Sequence, residues 1–332
     1  MKYKTFLFVA FAAACSAKPD PTTSEQLPVN NGFIALTDLG NGTYKGYPGG
    51  LYPNGSNTVP AAHAQEGRRR LTAIQPLDAS GNAAVNGRIV FLSIGMSNGT
   101  QEFCTGSGYT NCVSWSFMGK ATADATVNHT TLQMLNGARG GQVASSWTKP
   151  ASAEYDRIRD QGLAPLNLNE RQVQIVWTKI ANSTPNKALP DANADAMVLS
   201  IQLDSIARAL KTRYPNLQFV FFSSRIYAGF ATTTLNPEPY AYETGFAHKW
   251  AIEKQINSRD YSGAWLAWGP YLWAGDQAHK RSDGLFYEAA DFESDGTHPS
   301  TAGEGKVADQ LLSFFKTSEF TQCWFLSGRR CN

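Results

Sequence analysis

Gly87-Arg88-Ile89-Val90-Phe91-Leu92-Ser93-Ile94-Gly95-Met96-Ser97-Asn98-Gly99 is an apolar, partly β-branched run that breaks into a turn of small residues. The run reads as a buried strand. A serine just past the C-terminal end of such a strand sits where an open α/β sheet places its chemistry. Taken alone, Ser97 reads equally as the N-cap of the next helix. The far end of the chain adds Asp295-Gly296-Thr297-His298-Pro299-Ser300, just ahead of an amphipathic stretch. An aspartate three residues before a histidine can hold the imidazole in one tautomer while its other nitrogen faces a serine.

Between these stretches strands alternate with helices. Helices are expected over residues 60–74, within 113–125, over 152–162, 192–213, 242–256 and 302–316. Strands are expected over 88–94, 130–135, 173–177, 217–223 and 264–268. In the helix over 192–213, Leu199, Leu203, Ile206 and Leu210 form one apolar face. Such alternation implies a parallel sheet of about five strands covered on both faces, a three-layer α/β/α sandwich.

The chain has 332 residues, 42% hydrophobic and 17% charged, with a net charge of +2. That composition supports a sizeable core and gives no electrostatic case for nucleic acid or a membrane surface. Residues 1–15 read as an export signal, with a short basic start and an apolar stretch too short to span a bilayer. Ala12-Ala13-Ala14-Cys15 also fits a lipoprotein signal, which would anchor the chain through a lipidated Cys15. Residues 16–31 read as a polar linker, and 32–86 as a loop-rich extension with one helix. That Gly-rich extension can fold over a cleft. The main domain is expected over 87–322 and a closed tail over 323–332. With Cys15 set aside, four cysteines remain in an oxidising compartment, which allows three connectivities. Local pairing, Cys104 with Cys112 and Cys323 with Cys331, is the simplest. No Cys-x-x-Cys or His-x-x-x-His pattern suggests a metal. The Asn-x-Ser/Thr sequons at Asn41, Asn54, Asn98, Asn128 and Asn182 are read as chance.

Gly95-Met96-Ser97-Asn98, Asn136-Gly137-Ala138-Arg139-Gly140-Gly141 and Asp295-Gly296-Thr297-His298-Pro299 follow one another at strand ends. In this order they resemble the blocks of the SGNH (GDSL-like) hydrolases, over roughly residues 87–316. The first block is nearest the Gly-x-Ser-Asn form of sialate and carbohydrate O-acetylesterases. The resemblance implies an α/β/α serine esterase in which a glycine of the second block, Gly141, offers a backbone N–H to the oxyanion. The third block departs from the pattern: Trp177-Thr178-Lys179-Ile180-Ala181-Asn182 stands where Gly-x-Asn-Asp is usual. Either Lys179 or Asn182 is then the third oxyanion donor.

Ester cleavage needs a nucleophile, a base and donors where negative charge grows. Ser97 is the expected nucleophile, His298 the base and Asp295 its orienting partner. The backbone N–H groups of Ser97 and Gly141 are expected in the oxyanion hole. His63 is read as a plain surface or packed histidine, not a ligand. His129, His248 and His279 are set aside as bases for want of an acidic partner at matching spacing, and Asp283 is read as a turn former. Trp147, Tyr240, Trp268, Tyr271 and Trp273 are expected to ring the cleft, where aromatic faces suit sugar rings or acyl chains. The mechanism is complete without a cofactor. The expected activity is an exported esterase removing short acyl groups, acetyl above all, from carbohydrate. The alternatives are an esterase or lipase for longer acyl chains, and a glycan-binding protein with an impaired site.

Overall fold

A computed structural model describes residues 32–331. The expected signal segment, linker and Cys15 lie outside them. Five strands form the central sheet: β1 (Ile89–Gly95), β2 (Leu132–Asn136), β3 (Val173–Lys179), β4 (Phe219–Ser223) and β5 (Trp265–Trp268). All neighbours are parallel and the order is β2-β1-β3-β4-β5. Every residue of β1, β3, β4 and β5 is buried. This is why those strands read as continuous apolar runs, with no polar alternation.

Six helices matter for the site: α1 (Ala61–Leu71), α2 (Ser97–Cys104), α3 (Phe117–Ala123), α4 (Asp195–Arg213), α5 (Tyr240–Ser258) and α6 (Thr301–Thr317). Alternation along each strand divides the core into two layers. Phe91 and Phe221 meet Phe315 of α6 on one face. Phe222 meets His248 of α5 on the other, and α5 packs on α4. The stripe Leu199, Leu203, Ile206 and Leu210 is buried on α4, while Val198 and Ile201 face solvent. Burying each such side chain contributes about 1.5–3 kcal/mol, so the two apolar layers dominate the stabilisation.

Three differences from the expected boundaries bear on the site. β2 runs to Asn136, because that side chain is bound into the fold: it accepts from Ser93 Oγ (2.7 Å) and donates to Thr100 Oγ1 (2.6 Å) and to the Cys104 carbonyl (3.1 Å). β3 runs on to Lys179, since Thr178 and Lys179 pair with β1 on one side and β4 on the other. The helix expected over 152–162 is Ala153–Arg157 continued by a π-helical turn, Ile158–Leu163.

Both local disulfides are present, Cys104–Cys112 and Cys323–Cys331. The N-terminal segment does not cover the cleft. It is strapped to α5 and to the loop after β5. Lys249 Nζ donates to the carbonyls of Pro48 (2.8 Å) and Gly49 (2.5 Å), Tyr242 Oη to Ile34 (2.7 Å), and Trp268 Nε1 to Leu51 (2.6 Å). β5, at one side of the sheet, is flanked by α1 and α5. Leu266 N–H donates to Gln255 Oε1 (2.8 Å), and the Leu266 carbonyl lies 2.9 Å from His63 Nε2. His63 is thus buried and paired, as a packed histidine. Among the described residues no helix is long and apolar enough to cross a membrane.

Candidate active site

β1 ends in Gly95, and α2 begins at Ser97 after only Met96. Gly95 holds φ +147°, and a Cβ there would stand 2.7 Å from the Lys179 carbonyl, so only glycine lets the chain turn this close to β3. The turn delivers Ser97 to the first position of α2. The first bond within the helix runs from Thr100 N–H to the Met96 carbonyl, so the N–H groups of residues 97–99 precede it. Such first-turn N–H groups have no helical acceptor and sit at the positive end of the helix dipole.

The second turn comes from the far end of the chain. Gly296 holds φ +63°, and a Cβ there would lie 1.9 Å from the Phe230 carbonyl. Around it Asp295 Oδ1 accepts from the backbone N–H groups of Thr297 and His298, each at 2.9 Å. Asp295 Oδ2 lies 2.6 Å from His298 Nδ1, and His298 Nε2 lies 2.8 Å from Ser97 Oγ. Burial pushes the Asp295 carboxyl up. The His298 ring and the two N–H groups outweigh it and hold Asp295 below the usual carboxylate range. An ionised carboxylate on Nδ1 leaves Nε2 as the acceptor for the serine proton.

Ser97 and His298 open into a cleft of about 380 Å³, lined also by Met96, Gly140, Gly141, Val143, Asn182 and Leu235. Gly140 and Gly141 are carried there because Gly137 N–H donates to Ser93 O (2.9 Å) and Arg139 N–H to Gly95 O (3.1 Å). Asn182 is three residues past β3, close enough to line the cleft, while its carbonyl accepts from Asn236 Nδ2 (2.8 Å).

Lys179 is not a cleft residue. Its side chain is 1% exposed and its ammonium is paired with Glu102, which is 0% exposed. Burial pushes the Glu102 carboxyl up and the Lys179 ammonium down. Among the two expected alternatives for the third donor, only Asn182 faces the cleft. The aromatic ring of the cleft is corrected as well. Trp147, Trp268, Tyr271 and Trp273 are buried, each with its polar atom engaged: Trp147 Nε1 on Gln142 O, Trp268 Nε1 on Leu51 O, Trp273 Nε1 on Glu238, and Tyr271 Oη accepting from Leu36 N–H. Tyr240 is half-buried beside Asn236, Glu243 and Asp195, in a separate small hollow. A Trp or Tyr at a strand end looks alike in sequence whether it points in or out. Here the buried N–H and O–H groups find partners, backbone for three of them and the Glu238 carboxylate for Trp273, which lets the rings pack inward.

The reason for setting aside His279 also fails. Asp276 precedes it by three residues, and Asp276 Oδ1 lies 2.7 Å from His279 Nδ1. This pair repeats the spacing of Asp295 and His298 on a short turn (Gln277–His279), and neither residue lines the cleft. Asp283 is a turn residue that pairs with Arg281. Two residues went unread: Glu102, one helical turn beyond Asn98, and Arg225, two residues beyond β4. Arg225 carried a signal, being a charge set directly behind the apolar run of β4 at the sheet's C-terminal edge.

No family model and no curated protein matches the chain. Solved structures do. An extracellular lipase from Streptomyces rimosus is similar at 16% identity and a TM-score of 0.34, over 68% of this chain and 99% of the lipase. An acetyl xylan esterase is similar at 16% identity and 0.40, over 68% of this chain and 98% of that one. A family two carbohydrate esterase from Clostridium thermocellum, in complex with cellohexaose, is similar at 12% identity and 0.39, over 71% and 66% of the two chains. These likenesses are distant, and the functional reading rests on the geometry of the cleft.

Proposed function

We propose that the chain is an exported serine esterase that hydrolyses short acyl esters of polar alcohols, sugars being the favoured class. The observation that carries the reading is the continuous relay Asp295–His298–Ser97, at 2.6 and 2.8 Å, opening into the cleft. Ser97 Oγ attacks the ester carbonyl carbon and passes its proton to His298 Nε2. The oxyanion meets the Ser97 and Gly141 N–H groups and the Asn182 amide. His298 returns the proton to the departing alkoxide, and the alcohol leaves an acyl-serine. Water then repeats the sequence, releasing the acid and restoring Ser97 Oγ–H.

The cleft's modest volume and its few apolar residues, Met96, Val143 and Leu235, support a short acyl group. Asn182, Ser183 and Asn236 on the same wall support an alcohol rich in hydroxyls. Two disulfides support export. The test is hydrolysis of p-nitrophenyl esters from acetyl to decanoyl, with Ser97→Ala as control. Serine-dependent rates that fall beyond acetyl are expected. Rates rising toward decanoyl would favour a lipid ester, and a folded Ser97→Ala protein with full activity would end the proposal.

A further inference from the structure

Arg225 is the most costly residue near the cleft to explain by packing. Its side chain is fully buried just beyond β4. Only Nη1 of the guanidinium is hydrogen-bonded, to Asn98 Oδ1 at 2.6 Å, while Nε and Nη2 have no partner among the described residues. Burial lowers its affinity for the proton, and the carboxylates of Glu102, Glu238 and Asp295 oppose that. A buried cation so thinly hydrogen-bonded is poor stabilisation; an apolar side chain of similar volume would serve a core as well.

What Arg225 touches gives it a purpose. Asn98 follows Ser97 directly, and Asn98 Nδ2 donates to the Thr297 carbonyl at 2.8 Å, with both residues buried. Thr297 directly precedes His298. One hydrogen-bonded chain therefore runs from β4 through the residue beside the nucleophile to the residue beside the base. The amide of Asn98 is oriented by this arrangement: with its oxygen taken by the guanidinium, only its N–H groups can face the Thr297 carbonyl.

We propose that Arg225 is a positioning residue that, through Asn98 and Thr297, holds the Ser97 turn and the His298 turn at reacting distance. The proposal rests on the reading of Ser97 and His298 as nucleophile and base. Without the guanidinium the Asn98 oxygen loses its hydrogen-bond partner, and the amide that bridges the Ser97 turn to the Thr297 carbonyl is no longer fixed in orientation. A displacement of about 1 Å at a reacting pair costs on the order of 100-fold in rate.

The experiment uses the full chain, a fluorophosphonate probe for Ser97 reactivity, and steady-state hydrolysis of p-nitrophenyl acetate. Wild type labelled at Ser97, with Ser97→Ala unlabelled, establishes the nucleophile; an unlabelled wild type would overturn both the parent reading and this one. Given labelling, Arg225→Met and Asn98→Ala are each expected to fold, to label about 30- to 100-fold more slowly, and to lose kcat with KM changed less than about threefold. The double variant is expected to be no slower than the worse single variant, because both cut one chain. Arg225→Lys, which keeps a donor for Asn98 Oδ1, is expected to recover part of the loss. Labelling within threefold of wild type in both single variants, or losses that multiply in the double, would overturn the proposal. If Arg225→Met does not fold, Asn98→Ala against Arg225→Lys decides by the same criteria.

Discussion

Removing the ammonium of Lys179 separates two roles that one residue could hold at the end of β3. The structure buries it against Glu102, with 1% and 0% of the two side chains exposed, and leaves Glu102 Oε2 with no hydrogen-bond partner among the described residues. In Lys179→Met that carboxylate loses its paired cation, and the charge of the neighbouring Arg225 is left to oppose its desolvation. Breaking one side of a buried pair typically costs about 3–5 kcal/mol. Against a total stability of about 5–15 kcal/mol, this leaves a folded but fragile protein, with a melting point lower by roughly 5–8 °C. Replacing both residues, Lys179→Met with Glu102→Leu, removes the stranded charge and is expected to return most of the loss. Urea unfolding at pH 7.5, followed by tryptophan fluorescence and checked by calorimetry, measures each variant. Hydrolysis of p-nitrophenyl acetate is followed on the same samples below the transition. A Lys179→Met protein of unchanged stability with kcat lowered 100-fold would refute the reasoning, because it would place the ammonium at the oxyanion.

Asn182→Ala removes the amide proposed for the oxyanion and is expected to lower kcat by about 100-fold or more, with KM near wild type in steady-state assays. Trp268→Ala is expected to cost about 3–5 kcal/mol in urea unfolding and to leave KM within about threefold, since its ring packs beneath the N-terminal strap and not in the cleft. Burial pushes both His63 and His248 down to about 4, from 6.5. The unfolded chain takes up these protons near pH 6.5 and the folded chain only near 4. Their contribution is therefore complete above pH 6.5 and is lost as the pH falls toward 4, by roughly 3 kcal/mol for each histidine. Urea midpoints at pH 7.5 and 4.5 measure this, and equal midpoints would contradict it.

The order of strands and helices was legible because all-buried parallel strands and one-faced helices carry strong local patterns. Ser97, Asp295 and His298 could be picked out because three short stretches follow one another in order at strand ends; neither the Ser97 turn nor the Asp295 spacing decides by itself. The rest depends on partners distant in sequence. Whether Lys179 faces a cleft or the core is settled by Glu102, on another element, and nothing near residue 179 records it. Trp268 reads as a rim residue until Leu51, in a segment far upstream, accepts its N–H. Arg225 lies in the loop between β4 and α5, and its meaning lies in Asn98. Only the repeated Asp–His spacing at Asp276 and His279 was plainly present and overlooked.

The two side chains that meet Leu266 have a consequence for the molecule in company. The outermost strand of an open sheet ordinarily presents free N–H and C=O groups, a template on which another chain can add a strand. Here Gln255 occupies the N–H of Leu266 and His63 its carbonyl, and α1 and α5 stand over the strand as a border. This edge of the sheet is thereby closed at Leu266, and another copy of the protein finds no free backbone pair there on which to add a strand. A chain cut back beyond α1 would keep Ser97, Asp295 and His298 yet expose the Leu266 carbonyl, and concentration would then become its enemy.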